Sequence, residues 1–262
     1  MNALILAAGY ATRLYPLTLN KAKPLLEIAG KPMVEWVVDN LAGVPGLKTI
    51  FIVTNDKFAK DFQDWADSYK NRAGKTNPDS RSPSEFNLNF KIINDGSKSD
   101  EDKLGAIGDI NLVLIRESLA DSDLLVVAGD NLFDQSLKDF VEEAKTTEAM
   151  VAVYDVADLD VIKKYGCVTT DANGVITSFE EKPKEPKTTL AAIALYYYSR
   201  QVLPLFATYL VAGNNPDQPG RFLEWLYQRK PVKSFQIRGQ WLDIGSKETL
   251  EDANRVFARL NT

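Results

Sequence analysis

Residues 6–25 read LAAGYATRLYPLTLNKAKPL. They continue an apolar run that begins at Asn2, and residues 2–7 are expected to form a strand. The run ends in alanine and glycine, then Thr12-Arg13, and ten residues beyond the arginine stand Lys23-Pro24. Small residues after a strand let backbone N–H groups approach a ligand closely, and two separated cations imply that the ligand is anionic. Such a turn lies at the carboxyl end of the first strand of an open α/β sheet, where these sheets bind ligands. The N–H groups of Ala8, Gly9, Ala11 and Thr12 would then line an anion-binding concavity. Arg13 would fork onto phosphate oxygens and Lys23 would act as a point charge. A solvated surface turn has the same composition, so on spacing alone the two readings stand level.

Downstream, strand-like and helix-like segments alternate. Short β-branched or leucine-rich runs mark strands at 49–54, 88–94, 123–128 and 149–155. Helical periodicity marks 33–42, 56–68, 104–117 and 136–146. This βαβα order predicts an α/β fold with a mostly parallel sheet. After residue 160 the texture changes to three strand-like runs, 165–170, 175–180 and 191–198. Asp171-Ala172-Asn173-Gly174 between the first two is a hairpin signal. Helices over 200–211, 221–229 and 246–260 and a strand over 232–237 complete the chain. Residues 70–87 are polar and rich in Pro, Ser and Asn, and predict a long exposed loop. Within them Gly74-Lys75-Thr76 imitates the end of a P-loop. Tyr69 stands where that motif needs its first glycine, and no strand precedes it. No G-x-G-x-x-G occurs either.

The 262 residues are 45% hydrophobic, enough to bury a large α/β core. A formal net charge of −5 argues against general nucleic-acid binding. The front end departs from that average: Arg13, Lys21, Lys23 and Lys31 stand against Glu27 alone in residues 1–33. Cys167 is the only cysteine and there is no histidine, which excludes an intramolecular disulfide, His-based zinc sites and Ser-His-Asp triads. Chemistry here must run on carboxylates, cations, backbone dipoles or a bound metal. No apolar run reaches membrane-spanning length, so no membrane partner and a cytoplasmic location are expected.

Three further segments carry candidate ligands. In LLVVAGDNLF (124–133) a strand ends in Gly129-Asp130, and a carboxylate at that tip suits a hard cation bridging phosphates. A helix N-cap is the structural alternative, and Asp134 competes for that job. In GQWLDIGS (239–246) Asp243 precedes a helix, with Ser246 a rival cap. In SFEEKP (178–183) Glu180, Glu181 and Lys182 close a strand, where a solvated turn is the plain reading.

Taken in order, these segments resemble a family. LAAGYATRLYPLTLNKAKPL is similar to the L-A-A-G-x-G-T-R-L-x-P-L-T…P-K-P-L signature of sugar-1-phosphate nucleotidylyltransferases. GKPMVEW, GDNLF, KYGCVTTDANGVITSFEEKP and GQWLDIGS follow in the same order, so the resemblance spans essentially the whole chain. It is most like the glucose-1-phosphate thymidylyl- or uridylyltransferase branch. The resemblance implies a single nucleotidyltransferase domain. Residues 1–159 would form a Rossmann-like nucleotide-binding core, and 160–262 a smaller β-rich sugar-binding part with closing elements. It implies transfer of a nucleotidyl group from dTTP or UTP to glucose 1-phosphate, with release of pyrophosphate. Arg13 and Lys23 would be catalytic, on the leaving phosphates and the α-phosphate. Ala8, Gly9, Ala11, Thr12 and Gly105 would contact the nucleotide, and Gly166, Glu181 and Lys182 the sugar phosphate. Asp130 and Asp243 would hold Mg²⁺. A homo-oligomer is compatible with the resemblance. The alternatives are a cytidylyltransferase for phosphocholine or another phosphorylated alcohol, which shares the opening signature, and a non-catalytic nucleotide-sugar sensor. The EEKP and WLDIG segments favour a sugar, and the aspartate pair favours catalysis.

The departures are specific. Ala11 replaces the signature's second glycine and Ala22 the proline before the lysine. Ile193-Ala194 replaces Thr-Gly, and GRFLEWLYQRKPV keeps only Glu224 of an E-x-E-I-x-D segment. At Ala11 a negative φ is expected, with the methyl group beside the phosphates and no strain.

Overall fold

The computed structural model describes residues 1–73 and 88–259. Gly74-Lys75-Thr76 and most of the expected 70–87 loop lie outside the described residues. The chain runs β1 (Asn2–Leu6), β2 (Glu27–Ile28), β3 (Lys31–Pro32), α1 (Met33–Ala42), β4 (Thr49–Thr54), α2 (Ala59–Ala73) and β5 (Asn89–Asn94). It continues with α3 (Ala106–Arg116), β6 (Leu124–Ala128), β7 (Asn131–Phe133), α4 (Lys138–Ala144) and β8 (Ala149–Asp155). Then come β9 (Gly166–Thr170), β10 (Ile176–Glu181), β11 (Leu190–Tyr198), α5 (Pro204–Val211) and α6 (Pro219–Leu226). Last are β12 (Lys233–Gln236), β13 (Trp241–Asp243) and α7 (Lys247–Ala258). Helix α2 carries residues 70–73, which the sequence reading had assigned to the loop.

The central sheet has nine strands in the order β10-β9-β11-β6-β1-β4-β5, with β8 on β11 and β12 on β8. Strands β6, β1, β4 and β5 are mutually parallel, and β12 is parallel to β8. Only β11 and β10 run against the common direction, so the sheet is mostly parallel.

Alternation along each strand divides the core into two layers. Ala3 and Ile5 of β1, Ile50 and Ile52 of β4, and Leu125 and Val127 of β6 face the layer holding α1, α2 and α4. Leu4, Phe51, Val53, Leu124 and Val126 face the layer holding α3, α5 and α6. Burial on both faces explains why these strands read as unbroken apolar runs. A third, smaller cluster joins Leu14, Ile28 and Met33 to Ile244 and Phe257 of the carboxyl-terminal helix region. The predicted hairpin joins β9 to β10, with the Asp171 carboxylate accepting the Asn173 and Val175 N–H groups and Gly174 at φ 76°.

Candidate active site

Strand order decides what meets at the carboxyl edge. Asp130 follows β6, near the middle of the sheet. The turn after β1 and the start of α3 lie to one side of it, and β11, β9 and β10 lie to the other. A cavity of about 440 Å³ opens here. One arm is lined by Ala8, Gly9, Ala11, Lys103, Gly105 and Asp109, and the other by Tyr165, Gly166, Glu181, Lys182, Gln218 and Gly220. Lys23, Asp130 and Asp243 line the cavity too. Thr12 and Arg13 stand outside the lining, both exposed, on a short 3₁₀ turn at Thr12–Leu14.

The opening turn is held by its neighbours. Asn55, fully buried after β4, donates its amide to the Ala8 carbonyl at 2.9 Å. The expectation of a negative φ at Ala11 is overturned: φ is 49° and ψ 44°, the left-handed region. The reason is visible in its carbonyl, which accepts the Thr18 hydroxyl at 2.8 Å and the Leu14 N–H at 3.0 Å. Those bonds offset a Cβ penalty of roughly 1–2 kcal/mol.

Lys23 donates to Asp130 Oδ2 at 2.5 Å, an ion pair with side chains only 13% and 27% exposed. Burial acts to raise the Asp130 carboxyl. The Lys23 ammonium and the hydrogen bonds of Lys23 and Asn131 overcome it and hold the group below its ordinary value. Strand β13 pairs antiparallel with β7, setting Asp243 opposite Asn131 and therefore next to Asp130. Burial, then the charge of Asp130, push the Asp243 carboxyl up to about 6; Lys23, a Tyr165 hydrogen bond and Arg13 pull the other way. Tyr165 packs edge-on against Trp241 at 5.1 Å, and Trp241 donates to Asn131 at 2.7 Å. Neither aspartate is a helix cap. Ser246 caps α7, in a reciprocal box with Thr249. Asp134 does not cap α4 as anticipated: its carboxylate accepts the Gln240 N–H at 2.6 Å, and the N-cap of α4 is Leu137, with no side-chain cap.

Among the described residues no group of three or more His, Cys, Asp or Glu side chains converges as a metal cage. Asp130 and Asp243 are instead two mutually repelling carboxylates, with one ammonium bonded to the first. A hard divalent cation fits that donor set when substrate oxygens and water complete its shell.

On the other arm, Lys182 sits at φ 52°, its N–H bonded to the Tyr165 carbonyl at 3.0 Å. The residue is exposed and stands on the rim of the cavity it helps to line. Glu181 is raised by burial first, with Lys182 and Arg221 opposing. It needs two glycines for room: a Cβ on Gly220 would meet Glu181 Oε2 at 1.9 Å, and one on Gly166 would meet the Phe179 ring at 2.5 Å. Gly105, at φ 77°, starts α3 where a Cβ would meet the Pro216 carbonyl at 2.6 Å. That carbonyl and Asp217's accept the Ile107 and Ala106 N–H groups, and Lys103 bridges to Asp217 at 3.2 Å. Sequence reading missed Asn55, Lys103, Asp109, Tyr165, Gln218 and Gly220. Tyr165 lies inside the quoted KYG segment, and Gln218 and Gly220 lie in the irregular stretch GNNPDQPG (213–220), so these three carried some signal.

A mostly parallel sheet carrying a half-buried lysine and paired aspartates at its carboxyl edge defines an α/β protein with its cavity where such sheets bind ligands. The chain belongs to the nucleotidyl transferase family, whose profile matches residues 2–259. It is 25% identical over 263 residues to the bifunctional protein GlmU of Methanocaldococcus jannaschii, covering 100% of this chain and 56% of that protein. The chain thus spans about half of that relative's length. It is 27% identical to the UTP–glucose-1-phosphate uridylyltransferase AglF of Haloferax volcanii, covering 97% of this chain and 96% of AglF. The fold matches that of an apo UDP-glucose pyrophosphorylase with a TM-score of 0.80 at 23% identity, over 100% of this chain and 99% of the other. No helix among the described residues is long and apolar enough to cross a membrane.

Proposed function

We propose that this protein transfers a nucleotidyl group from a nucleoside triphosphate to a sugar 1-phosphate, releasing pyrophosphate. UTP or dTTP with glucose 1-phosphate is the preferred pair. The observation that carries the reading is the Lys23–Asp130 ion pair, with Asp243 set beside it by the β7–β13 pairing, on the lining of one cavity that both halves of the chain share. A sugar phosphate oxygen attacks the α-phosphorus in line, a P–O bond forms, and the bond to the pyrophosphate oxygen breaks. The reaction asks little acid/base work of the protein, which agrees with a chain that has no histidine. Positioning and charge neutralisation supply the rate.

Residues 1–159 supply the nucleotide side and 160–262 most of the sugar side. Lys23 neutralises the α-phosphate, and Arg13 reaches in from the rim to the leaving phosphates. The N–H groups of Ala8, Gly9, Ala11 and Thr12 seat the remaining oxygens, and Gly105 approaches the nucleotide. Lys182 binds the sugar's phosphate, while Glu181 and the backbone at Gly166 orient the sugar. Asp130 and Asp243 hold Mg²⁺, which when bound offsets the charge of the phosphates.

The test is pyrophosphate release from five triphosphates crossed with a panel of sugar 1-phosphates, phosphocholine included, with Mg²⁺ and with excess chelator. Release with a uridine or thymidine triphosphate and a hexose 1-phosphate, abolished by chelator, is expected. Release only with CTP and phosphocholine, or undiminished turnover under chelator, would overturn the substrate or the metal assignment respectively.

A further inference from the structure

Two buried polar side chains are spent on carbonyl oxygens of the opening turn. Asn55 is 0% exposed and Thr18 1%. Burying a side-chain amide is costly unless both of its ends are bonded. In Asn55 they are: Nδ2 donates to the Ala8 carbonyl at 2.9 Å, and Oδ1 accepts the Phe58 N–H at 3.2 Å. A carbonyl needs a donor and an N–H needs an acceptor, so the amide fits only this way round. The oxygen serves the entrance to α2. The nitrogen reaches 47 residues back along the chain, to the turn after β1.

What that second bond does follows from the peptide plane. In a trans peptide the C=O and N–H of one unit point in opposite directions. Holding the Ala8 carbonyl toward Asn55 therefore aims the Gly9 N–H away from Asn55. Gly9 is exposed, lines the cavity, and would have nothing within 4 Å of an added Cβ, so open space adjoins it. It makes no hydrogen bond to any described residue. The Ala11 carbonyl is held in the same manner by the Thr18 hydroxyl at 2.8 Å, which turns the Thr12 N–H the other way. An anion-binding turn fails when one of its peptides flips and presents a carbonyl to the anion. Fixing the carbonyls in the free protein removes that ordering cost from binding.

We infer that Asn55 is a positioning residue for the triphosphate, its amide holding the Ala8–Gly9 peptide with the N–H free for a phosphate oxygen before the nucleotide arrives. This rests on the proposed nucleotidyl transfer and adds to it a residue that touches no substrate. The plainer role, support of the entrance to α2, uses Oδ1 alone. Serine separates the two. Its hydroxyl oxygen can still accept the Phe58 N–H, as serine does in such turns, but it sits one bond nearer the backbone and does not reach the Ala8 carbonyl.

The experiment is calorimetric binding of UTP, tripolyphosphate and glucose 1-phosphate at fixed Mg²⁺ to wild type, Asn55→Ala and Asn55→Ser, each read well below its own melt. Asn55→Ala should melt lower and bind both UTP and tripolyphosphate about tenfold or more weakly, with glucose 1-phosphate unchanged. Asn55→Ser should recover most of the melt yet bind both phosphate chains as weakly as Asn55→Ala. Wild-type affinity for UTP in Asn55→Ser overturns the inference, since Asn55 then serves folding alone. A loss shared by glucose 1-phosphate, or one confined to UTP and absent for tripolyphosphate, overturns it too. Should neither variant fold, amide hydrogen exchange of wild type decides: saturating tripolyphosphate should slow exchange at Gly9, and no protection there overturns the inference. A wild type that binds neither UTP nor tripolyphosphate overturns the nucleotidyl-transfer reading, and this inference with it.

Discussion

Ala11 holds an L-residue at a backbone angle that suits glycine, and two hydrogen bonds to its carbonyl keep it there. Relieving the Cβ clash is worth roughly 1–2 kcal/mol, and glycine's extra unfolded-state freedom costs roughly 0.5–1 kcal/mol. Ala11→Gly should therefore raise the melting temperature of the unliganded protein by a few degrees at most. A thermal melt that falls instead would mean the strain is already relaxed. The angle was illegible in sequence because its cause, the Thr18 hydroxyl, lies seven residues downstream in a turn. Lys23 and Asp130 make a second case, since both were singled out as candidates but their pairing was not legible. Asp130→Asn preserves shape and should cut turnover by about 100-fold or more while leaving the melt nearly unchanged. Lys23→Ala removes the ammonium that occupies Asp130 in the free protein. It should lower turnover by a comparable factor, yet bind Mn²⁺ more tightly than wild type when no nucleotide is present, as read by electron paramagnetic resonance. Weaker metal binding in that variant would show that Lys23 supports the carboxylates instead of competing for them.

Helix α3 carries a pH dependence of its own. Asp109 has an ordinary value of 3.8 and a folded value of about 8, so across that interval the native state keeps a proton that the unfolded chain has lost. Stability contributed at this position is fully present below pH 4 and is lost as pH rises toward 8, at a slope of at most about 1.4 kcal/mol per unit. Denaturant melts of Asp109→Asn should lack that component and exceed wild type at pH 8; parallel curves for the two proteins would refute it. The elements themselves were legible to different degrees. Strands β1, β4, β6 and β8 stood out because burial on both faces confines polar residues to the ends of the run. Strands β7 and β13, three residues each, are too short for any periodicity, though their pairing is what sets Asp243 opposite Asn131. Asp130 and Asp243 were thus named from motif resemblance while the ribbon joining them went unseen. Asp109 was invisible for another reason, because a lone acid inside an amphipathic helix reads as surface.

Across the molecule the proposed function assigns the two sides of the cavity to different substrates, and a glycine tests that division. Gly220→Ala would drive a methyl group into Glu181 Oε2, so it should raise KM for the sugar phosphate by about tenfold or more while the triphosphate Kd stays put. Equal losses for both substrates, measured by direct binding, would mean the arms are not separate. The sheet nonetheless runs unbroken through residue 160, because β11 pairs with β6 as well as with β9. The α3 start is tied across the cavity too: its first N–H groups are spent on the carbonyls of Pro216 and Asp217, and Lys103 is locked to Asp217. In a helix that begins without a side-chain cap, a segment from the opposite arm does the capping. Anyone recombining this chain with a relative inherits that bond. A graft of residues 214–220 would carry a foreign cap onto the start of α3, so that segment and the helix it seats would have to be exchanged as one cassette.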